Sequence, residues 1–251
     1  LDREDGMSDS AVEEFLSVMS APPRRRAVPR VAEPLRDAEM RKVEGPQGAI
    51  AAWRLGEGPA TLLVHGYEDD NSVWTPLMGA LAQNGRAIVA MDLPAHGHSQ
   101  GEACFASDAA EAIAPVATAL GPIHSVVGHS LGSLGSALAV ANGLEAERLV
   151  LIASPTRANG RWRRMAEALG VPDDIAERAR ALYQERVGSA RTEIEPMQIF
   201  RRIRTKTLFV HSIDDDRTPF DGVQDAVDEC GDAELLAVAG RSFDRASCGG
   251  S

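Results

Sequence analysis

One short stretch, residues 126–132, constrains the fold of this chain more than any other. It reads Val-Val-Gly-His-Ser-Leu-Gly, with an apolar, β-branched run before the serine and a small-residue, helix-forming run after it. A strand that turns sharply into a helix at Ser130 needs small neighbours on either side, and Gly128 and Gly132 supply them. Such a turn exposes the hydroxyl and directs free N–H groups of the helix toward developing negative charge. The alternative is a glycine-rich turn with a chance serine, which the flanking strand and helix patterns make less attractive.

Apolar runs alternate with helical patterns along most of the chain, which is typical of an α/β protein. The predicted strands are 49–55, 60–64, 87–91, 125–127, 148–152, 207–210 and 234–238. The predicted helices between them are 72–83, 108–120, 131–142 and 220–229. Nearly continuous apolar strands separated by helices indicate a mainly parallel, twisted sheet with helices on both faces.

Two segments interrupt this alternation. Residues 1–48 combine an N-terminal helix, whose predicted capping box begins at Ser10, with an irregular connector rich in proline and arginine. Residues 155–204 hold two amphipathic helical patterns directly after a strand, which fits a small helical cap over a site or an extra packing layer. The expected division is therefore 1–48, a core of 49–154 and 205–251, and a cap insertion of 155–204.

Charge and cysteine content restrict the partners of this chain. A net charge of −11 argues against nucleic acid or an anionic membrane as a partner. Three widely spaced cysteines predict neither a disulfide framework nor a metal site. The acidic, polar first residues do not form a secretory signal and no apolar run is long enough to span a membrane, so we expect a cytoplasmic protein. A homo-oligomer is left open by the sequence.

Three further motifs accompany the serine motif. They read Leu-Leu-Val-His-Gly-Tyr at 62–67, Met-Asp-Leu-Pro-Ala-His-Gly-His-Ser at 91–99 and Phe-Val-His-Ser-Ile-Asp-Asp-Asp-Arg-Thr-Pro at 209–219. In this order, the four motifs resemble those of the α/β-hydrolase superfamily, and in particular of its serine esterases and lipases. The resemblance runs from about residue 48 to residue 240. It implies an α/β-hydrolase fold and a serine hydrolase that needs no cofactor and no metal.

The resemblance also implies roles for individual positions. Ser130 would be the nucleophile, and the backbone N–H groups of Tyr67 and Leu131 would form the oxyanion hole. Counting four residues back from Pro219 selects Asp215 as the triad acid, with the aspartate on each side as an alternate. A buried carboxylate there would hold a catalytic imidazole in the correct tautomer. The other interpretation, a solvated acidic loop, fits three adjacent aspartates but leaves their place after the serine unexplained.

The expected triad base is missing from the sequence. A histidine is expected in the loop after the last strand, but Phe243 stands there and no histidine follows His211. A phenyl ring cannot accept the proton of Ser130, and loss of one triad member typically lowers kcat by about 10⁶-fold. His211, at the end of the strand that precedes the acid, is the nearest substitute.

The loop at 91–99 contains two more histidines. It departs from the family pattern at Ala95, where glycine is usual, and its role in the family is mainly structural. His96 and His98 are therefore predicted to be turn residues and not catalysts.

Together these features predict a carboxylesterase-like hydrolase that cleaves small-molecule esters through an acyl-enzyme and that is impaired by Phe243. One alternative is a catalytically silent binding protein with the same fold. Other activities that use the same residue set are a thioesterase, a carbon–carbon bond hydrolase and a cofactor-free haloperoxidase. Serine at position 130 disfavours haloalkane dehalogenases and epoxide hydrolases, which use aspartate there.

Overall fold

A central sheet organises the protein, and it confirms the predicted α/β-hydrolase fold. The computed structural model describes residues 2–20, 30–157, 160–187 and 194–240. Its strands are β1 (Met40–Gly45), β2 (Gly48–Leu55), β3 (Ala60–Val64), β4 (Ala87–Met91), β5 (Ile123–His129), β6 (Arg148–Ile152), β7 (Lys206–Ser212) and β8 (Ala233–Val238). Within these residues the sheet has the order β1-β2-β4-β3-β5-β6-β7-β8. The pairs β1–β2 and β2–β4 are antiparallel, and the other pairs are parallel.

Helices connect and cover these strands. They are α1 (Asp2–Ser20), α2 (Thr75–Gln83), α3 (Ala106–Leu120), α4 (Leu131–Ala141), α5 (Gly160–Leu169), α6 (Asp173–Val187), α7 (Pro196–Phe200) and α8 (Val223–Glu229). Short 3-10 helices lie at Glu33–Leu35 and Asn71–Trp74. Among the described helices, none is both long and apolar enough to cross a membrane.

Each face of the sheet has its own apolar cluster, because successive strand residues point to opposite faces. On one face, Leu62 and Val64 belong to a cluster with residues of α3, α4, α7 and α8. On the other face, Leu63 and Trp53 belong to a cluster with residues of α2 and of the 3-10 helix Glu33–Leu35. The sheet is therefore a rigid support for the loops that leave its strands.

Strand β1 was not predicted from the sequence. It lies inside the segment that was expected to contain only a helix and an irregular connector, and it pairs with β2 from Met40–Trp53 to Gly45–Gly48. All its residues are exposed or half-buried, because it is the edge strand. Without a buried apolar side, the strand shows no hydrophobic alternation that sequence reading could detect.

A second deviation concerns the N-terminal helix. Ser10, the expected N-cap, lies within α1, which begins at Asp2. The helix packs through Val12, Phe15, Leu16 and Met19 against apolar residues of α5 and α6. We call α1, α5 and α6 the outer helical layer. The sequence-based boundaries assign α1 and the insertion 155–204 to separate parts, whereas the structure joins them in one apolar cluster.

Candidate active site

The parallel strands bring distant segments together at one edge of the sheet. Val64 pairs with Gly128, His129 with Ile152, and Ile152 with Val210. The loop after β3, the turn after β5 and the loop after β7 therefore leave the sheet at the same edge. Polar residues in loops at the carboxyl ends of parallel strands form the usual binding site of such sheets.

The turn at Ser130 has the strained geometry that its sequence predicts. Its φ of 49° and ψ of −114° lie in a region that costs about 1–3 kcal/mol for a residue with a side chain. Its N–H donates to the carbonyl of Ile152 over 2.8 Å, which anchors the turn to β6. Helix α4 starts at the next residue, so the hydroxyl lies at the junction of a strand end and a helix N-terminus.

Both glycines of the motif are required by close backbone contacts. A Cβ on Gly128 would lie 2.6 Å from the carbonyl oxygen of Gly132 and 2.6 Å from Cα of Ser133. A Cβ on Gly132 would lie 2.2 Å from the carbonyl oxygen of His65. The spacing of the motif thus allows α4 to approach β5 and the end of β3 without side chains in between.

The same close approach brings the two predicted oxyanion donors to one edge. Leu131 opens α4, and the first N–H groups of a helix have no acceptor within it. Tyr67 follows the end of β3, and a Cβ on Gly66 beside it would lie 2.7 Å from Nδ1 of His129. The loop after β3 therefore packs directly on the turn that holds Ser130.

Two histidines near this edge are held in structural hydrogen bonds. His65 accepts from the N–H of Leu93 at Nε2 over 2.9 Å, so its Nδ1 carries the proton and donates to the carbonyl of Gly66 over 2.7 Å. His96 accepts from the N–H of Glu68 over 3.1 Å and contacts the carbonyl of Pro94 over 2.7 Å through Nδ1. Both rings hold loops in place with both nitrogens engaged.

Asp92 holds the loop that follows β4. It is completely buried and accepts hydrogen bonds from the N–H of Asn71 over 2.8 Å and from the N–H of His98 over 2.9 Å. Nδ1 of His98 lies 3.1 Å from Oδ2 of Asp92, the same oxygen that accepts from the N–H of His98. Burial alone would raise the pKa of Asp92, but the hydrogen bonds from His98 and Asn71 hold it below its ordinary value. The hydrogen bond to Asp92 raises the pKa of His98.

The substitution at Ala95 falls on a position with left-handed backbone. Its φ is 61°, which explains why glycine is usual there. Gly97 in the same loop cannot carry a side chain, because its Cβ would lie 2.2 Å from Oδ2 of Asp92. Ala95 therefore holds a left-handed conformation that costs more for alanine than for glycine.

Among the three adjacent aspartates, Asp215 differs from its neighbours. It is 7% exposed, whereas Asp214 and Asp216 are exposed. Its Oδ1 accepts from the N–H of Arg217 over 2.9 Å and from that of Thr218 over 2.7 Å. Its Oδ2 is buried, and the described part of the chain offers it no hydrogen-bond partner. One carboxylate oxygen is therefore fixed and the other is available.

Two histidines, His211 and His129, lie near this carboxylate. His211 is fixed by a hydrogen bond in the loop, and His129 is affected by the charge of Asp215. His211 is 1% exposed, and its Nε2 donates to the carbonyl of Thr218 over 2.7 Å, so it supports the loop of Asp215. Burial lowers the pKa of His129 to about 4, with the negative charge of Asp215 acting in the opposite direction. The imidazole beside Ser130 is thus neutral at pH 7.

Phe243 lies outside the described residues, but the described chain ends beside the loop of Asp215. The N–H of Gly240 donates to Asp214 over 3.1 Å, and the hydroxyl of Ser212 donates to the carbonyl of Gly240.

Sequence reading missed two charged residues at this edge, Glu68 and Arg217. Glu68 has a φ of 65°, and its carboxylate lies 3.8 Å from the Arg217 guanidinium. No motif pointed to this pair, since its members come from different loops. Within the described ranges, no group of three or more acidic, histidine or cysteine side chains is arranged to hold a metal ion.

Comparison with known proteins shows which family and which relatives this chain is similar to. The family model described as "Alpha/beta hydrolase family" matches residues 61–245. A pimeloyl-[acyl-carrier protein] methyl ester esterase of Vibrio atlanticus (strain LGP32) is 38% identical over 105 residues, which are 41% of this chain and 39% of that protein. The match thus spans about two fifths of the length of this curated relative.

Solved structures are similar over more of the chain. An esterase from Pyrococcus furiosus has a TM-score of 0.70 at 16% identity, covering 89% of each chain. An esterase from Exiguobacterium antarcticum has a TM-score of 0.60 at 16% identity, covering 78% of this chain and 89% of the other. At such identities these structures show the fold alone. Because the family model spans most of the sequence and the sheet has the matching architecture, the chain belongs to the alpha/beta hydrolase family.

Proposed function

We propose that the protein is a serine hydrolase that acts on small-molecule carboxylic esters, with Ser130 as its nucleophile. The observation that carries the proposal is the backbone at Ser130, a strained turn between β5 and the N-terminus of α4. A fold holds such strain where the surrounding structure requires it, and functional sites are where it concentrates. The sequence relative named as a methyl ester esterase supports the choice of an ester bond.

In this proposal, the hydroxyl oxygen of Ser130 attacks the ester carbonyl carbon while its proton passes to a base. The N–H groups of Tyr67 and Leu131 stabilise the resulting oxyanion, a contribution of about 10²–10³ in kcat for one donor. Collapse of this intermediate expels the alcohol, which takes the proton from the base. A water molecule then hydrolyses the acyl-enzyme and releases the carboxylic acid and the free serine.

The mechanism needs a general base, and the sequence has no histidine at the expected position. Asp215 would orient it, and its Oδ2, which has no hydrogen-bond partner among the described residues, supports that role. Phe243 occupies the sequence position expected for the imidazole. We therefore expect activity far below that of a complete triad, with a residual of about 10³–10⁴ over water if the oxyanion hole is intact.

The nucleophile is tested with a fluorophosphonate probe, which reacts covalently with activated serines. We expect slow labelling of the parent protein and none of Ser130→Ala. Ser133→Ala is the matched control, because this neighbouring serine is fully buried and should not affect labelling. An unlabelled parent protein, or equal labelling of parent and Ser130→Ala, would contradict the proposal.

The same oxygen of Asp215, without a partner in the described ranges, also favours a second candidate, a catalytically silent member of the family that binds a ligand at this edge. Phe243→His separates the two, with Phe243→Asn as a control that removes the ring without adding a base. If Phe243→His raises hydrolysis of p-nitrophenyl butyrate by about 100-fold or more over both other proteins, the site is an esterase site without its base. If all three proteins are inert and unlabelled, the silent candidate is supported.

A further inference from the structure

The two edges of the sheet are protected to different degrees. Strand β1, at one end of the strand order, carries the charged side chains of Arg41, Lys42 and Glu44. Charged residues on an edge strand hinder its unpaired backbone groups from pairing with another chain. Strand β8, at the other end, has a single charged residue, Glu234, whose carboxylate lies 3.7 Å from Nζ of Lys206 on β7. The edge at β8 is therefore the less protected one.

Apolar side chains of β8 are exposed on one face of the sheet. Ala233 and Leu235 pack against the cluster that contains residues of α8. Leu236 and Val238 point to the opposite face, because side chains alternate along a strand, and they are 50% and 38% exposed. Ile213, whose N–H donates to the carbonyl of Val238, is 53% exposed. Three of the six large apolar side chains that are exposed in the described ranges thus lie at this edge.

The backbone groups of β8 alternate between β7 and the free edge. The carbonyl of Val238 accepts from the N–H of Ile213 over 3.0 Å and is therefore directed toward β7, and so is the carbonyl of Asp232, six residues earlier. Alternate residues direct their N–H and C=O groups to opposite sides of a strand, so those of Leu235 and Ala237 point outward. Within the described residues, β8 is the last strand on this side of the sheet, and these groups pair with no further strand.

We propose that β8 pairs antiparallel with β8 of a second copy of this chain, about a two-fold axis perpendicular to the sheet. Such an axis keeps the faces of the sheet, so paired residues must have side chains on the same face. The register that sets Leu236 opposite its own copy meets this condition and keeps residues 234–238 paired. It places Leu235 opposite Ala237, and each such pair exchanges two hydrogen bonds through the outward backbone groups.

The charges and the symmetry favour this pairing and limit it to two copies. Glu234 lies opposite Val238 in this register, so the carboxylates of the two copies do not face each other. The two Leu236 side chains meet at the axis and lose contact with water. Both β8 edges are used in a two-fold pair, so the assembly is closed, and the edges that remain are the charged β1 strands. The inference does not depend on whether Ser130 is a nucleophile.

Association is measured by analytical ultracentrifugation of the full chain from about 1 to 200 μM, because mass action favours a dimer at high concentration. A strand edge and a few apolar side chains form a small interface, so we expect a dissociation constant of about 10 μM. The mass should rise from 26.7 kDa toward twice that value.

Substitutions then locate the interface. Leu236→Arg brings two like charges together at the axis and should weaken association by about 10-fold or more. Leu169→Arg is the matched control, because this leucine of α5 is 53% exposed, and it should leave association unchanged. Ala237→Pro removes an outward N–H and should also weaken association, whereas Ala237→Ser keeps the N–H and should not. Thermal unfolding near the parent temperature verifies that each variant is folded.

Cross-linking tests the register. The residue on the axis forms a non-hydrogen-bonded pair, whose Cα atoms are about 4.5 Å apart, within the range that a disulfide spans. Leu236→Cys should therefore give covalent dimers on mild oxidation. A Cys248→Ser background leaves Cys104 and Cys230 as the other thiols, and both are buried. Leu169→Cys in the same background is the control and should remain monomeric.

The outcomes distinguish a second copy from other occupants of the edge. The mass of a single chain at every concentration would overturn the inference, as would equal effects of Leu236→Arg and Leu169→Arg on a dimer. If the N–H groups of Leu235 and Ala237 are protected from exchange in such a monomer, the occupant is the chain that follows Gly240. Equal yields of covalent dimer from the two cysteine variants would contradict the register.

Discussion

At the scale of single residues, steric contacts restrict the amino acids around Ser130 more than charge does. The missing side chain of Gly132 lets the carbonyl of His65 approach, so any Cβ there meets backbone that cannot move aside. We predict that Gly132→Ala lowers the free energy of unfolding by about 3 kcal/mol. Urea denaturation measures the change.

The matched control for this substitution is Gly79→Ala in helix α2. A Cβ on Gly79 meets nothing within 4 Å, so the helix should gain about 0.5–1 kcal/mol. If both variants changed stability equally, the close approach of α4 to β3 would not be the reason for the glycine.

The Asp92–His98 pair predicts a pH dependence of stability. His98 has a raised pKa in the folded state, so its bond to Asp92 contributes fully below the ordinary value of 6.5 and is lost as the pH rises through the folded value. Asp92 has a lowered pKa, so its contribution is lost only under acid conditions, below 3.8. The destabilisation by His98→Gln should therefore be larger at about pH 5.5 than at about pH 8.5. Denaturation series at both pH values test this, and a constant difference would contradict it.

The residues that could be predicted from the sequence are those fixed by hard-sphere contacts. Ser130 and its flanking glycines follow from the motif, because few other sequences tolerate the turn. Asp215 was selected by counting four residues back from Pro219. Its burial and its hydrogen bonds could be seen only in the structure. The Glu68–Arg217 pair had no sequence signal, since it depends on how loops from two distant parts of the chain meet.

At the scale of elements, apolar packing holds the outer helical layer together. Phe15 is 3% exposed and packs edge-on against Trp162, with ring centroids 5.9 Å apart. We predict that Phe15→Ala weakens the attachment of α1 by about 3 kcal/mol. Amide hydrogen exchange should then be about 100-fold faster in α1 and α6 and unchanged in β3 and β5.

Two controls separate packing from charge in this layer. Val18 is 39% exposed on the same helix, so Val18→Ala should change exchange little. Arg178 pairs with Asp9 over 2.6 Å, but both side chains are largely exposed, so Arg178→Gln should cost less than about 1 kcal/mol. A larger effect of Arg178→Gln than of Phe15→Ala would show that ion pairs attach α1.

Elements with a buried face were predicted well and those without one were not. The buried strands β3, β4 and β6 have the expected bounds, because a fully or half-buried strand must be apolar. The edge strand β1 carries no such constraint. The start of α1 was predicted at Ser10, because Ser10 matches a capping pattern. The helix begins earlier, at Asp2, and includes Ser10.

At the scale of the whole molecule, the candidate site depends on segments that the sheet brings together from across the chain. The order of motifs predicted this assembly, since parallel strands release their loops at one edge. Gly240, the last described residue, is hydrogen-bonded to Ser212 and Asp214, so the described chain ends at the loop that carries Asp215.

This assembly can be tested in the Phe243→His background. If Asp215 orients the new imidazole, then Asp215→Asn should return p-nitrophenyl butyrate hydrolysis to near the level of the parent protein, because loss of the acid costs a complete triad about 10⁴-fold. Asp214→Asn and Asp216→Asn change exposed carboxylates in the same loop and should retain most of the gain. If Asp214→Asn removed the gain instead, the acid would be the residue that binds Gly240 and the assignment of Asp215 would be wrong. Equal losses in all three variants would mean that the acidic loop acts through its overall charge, without one carboxylate that orients the base.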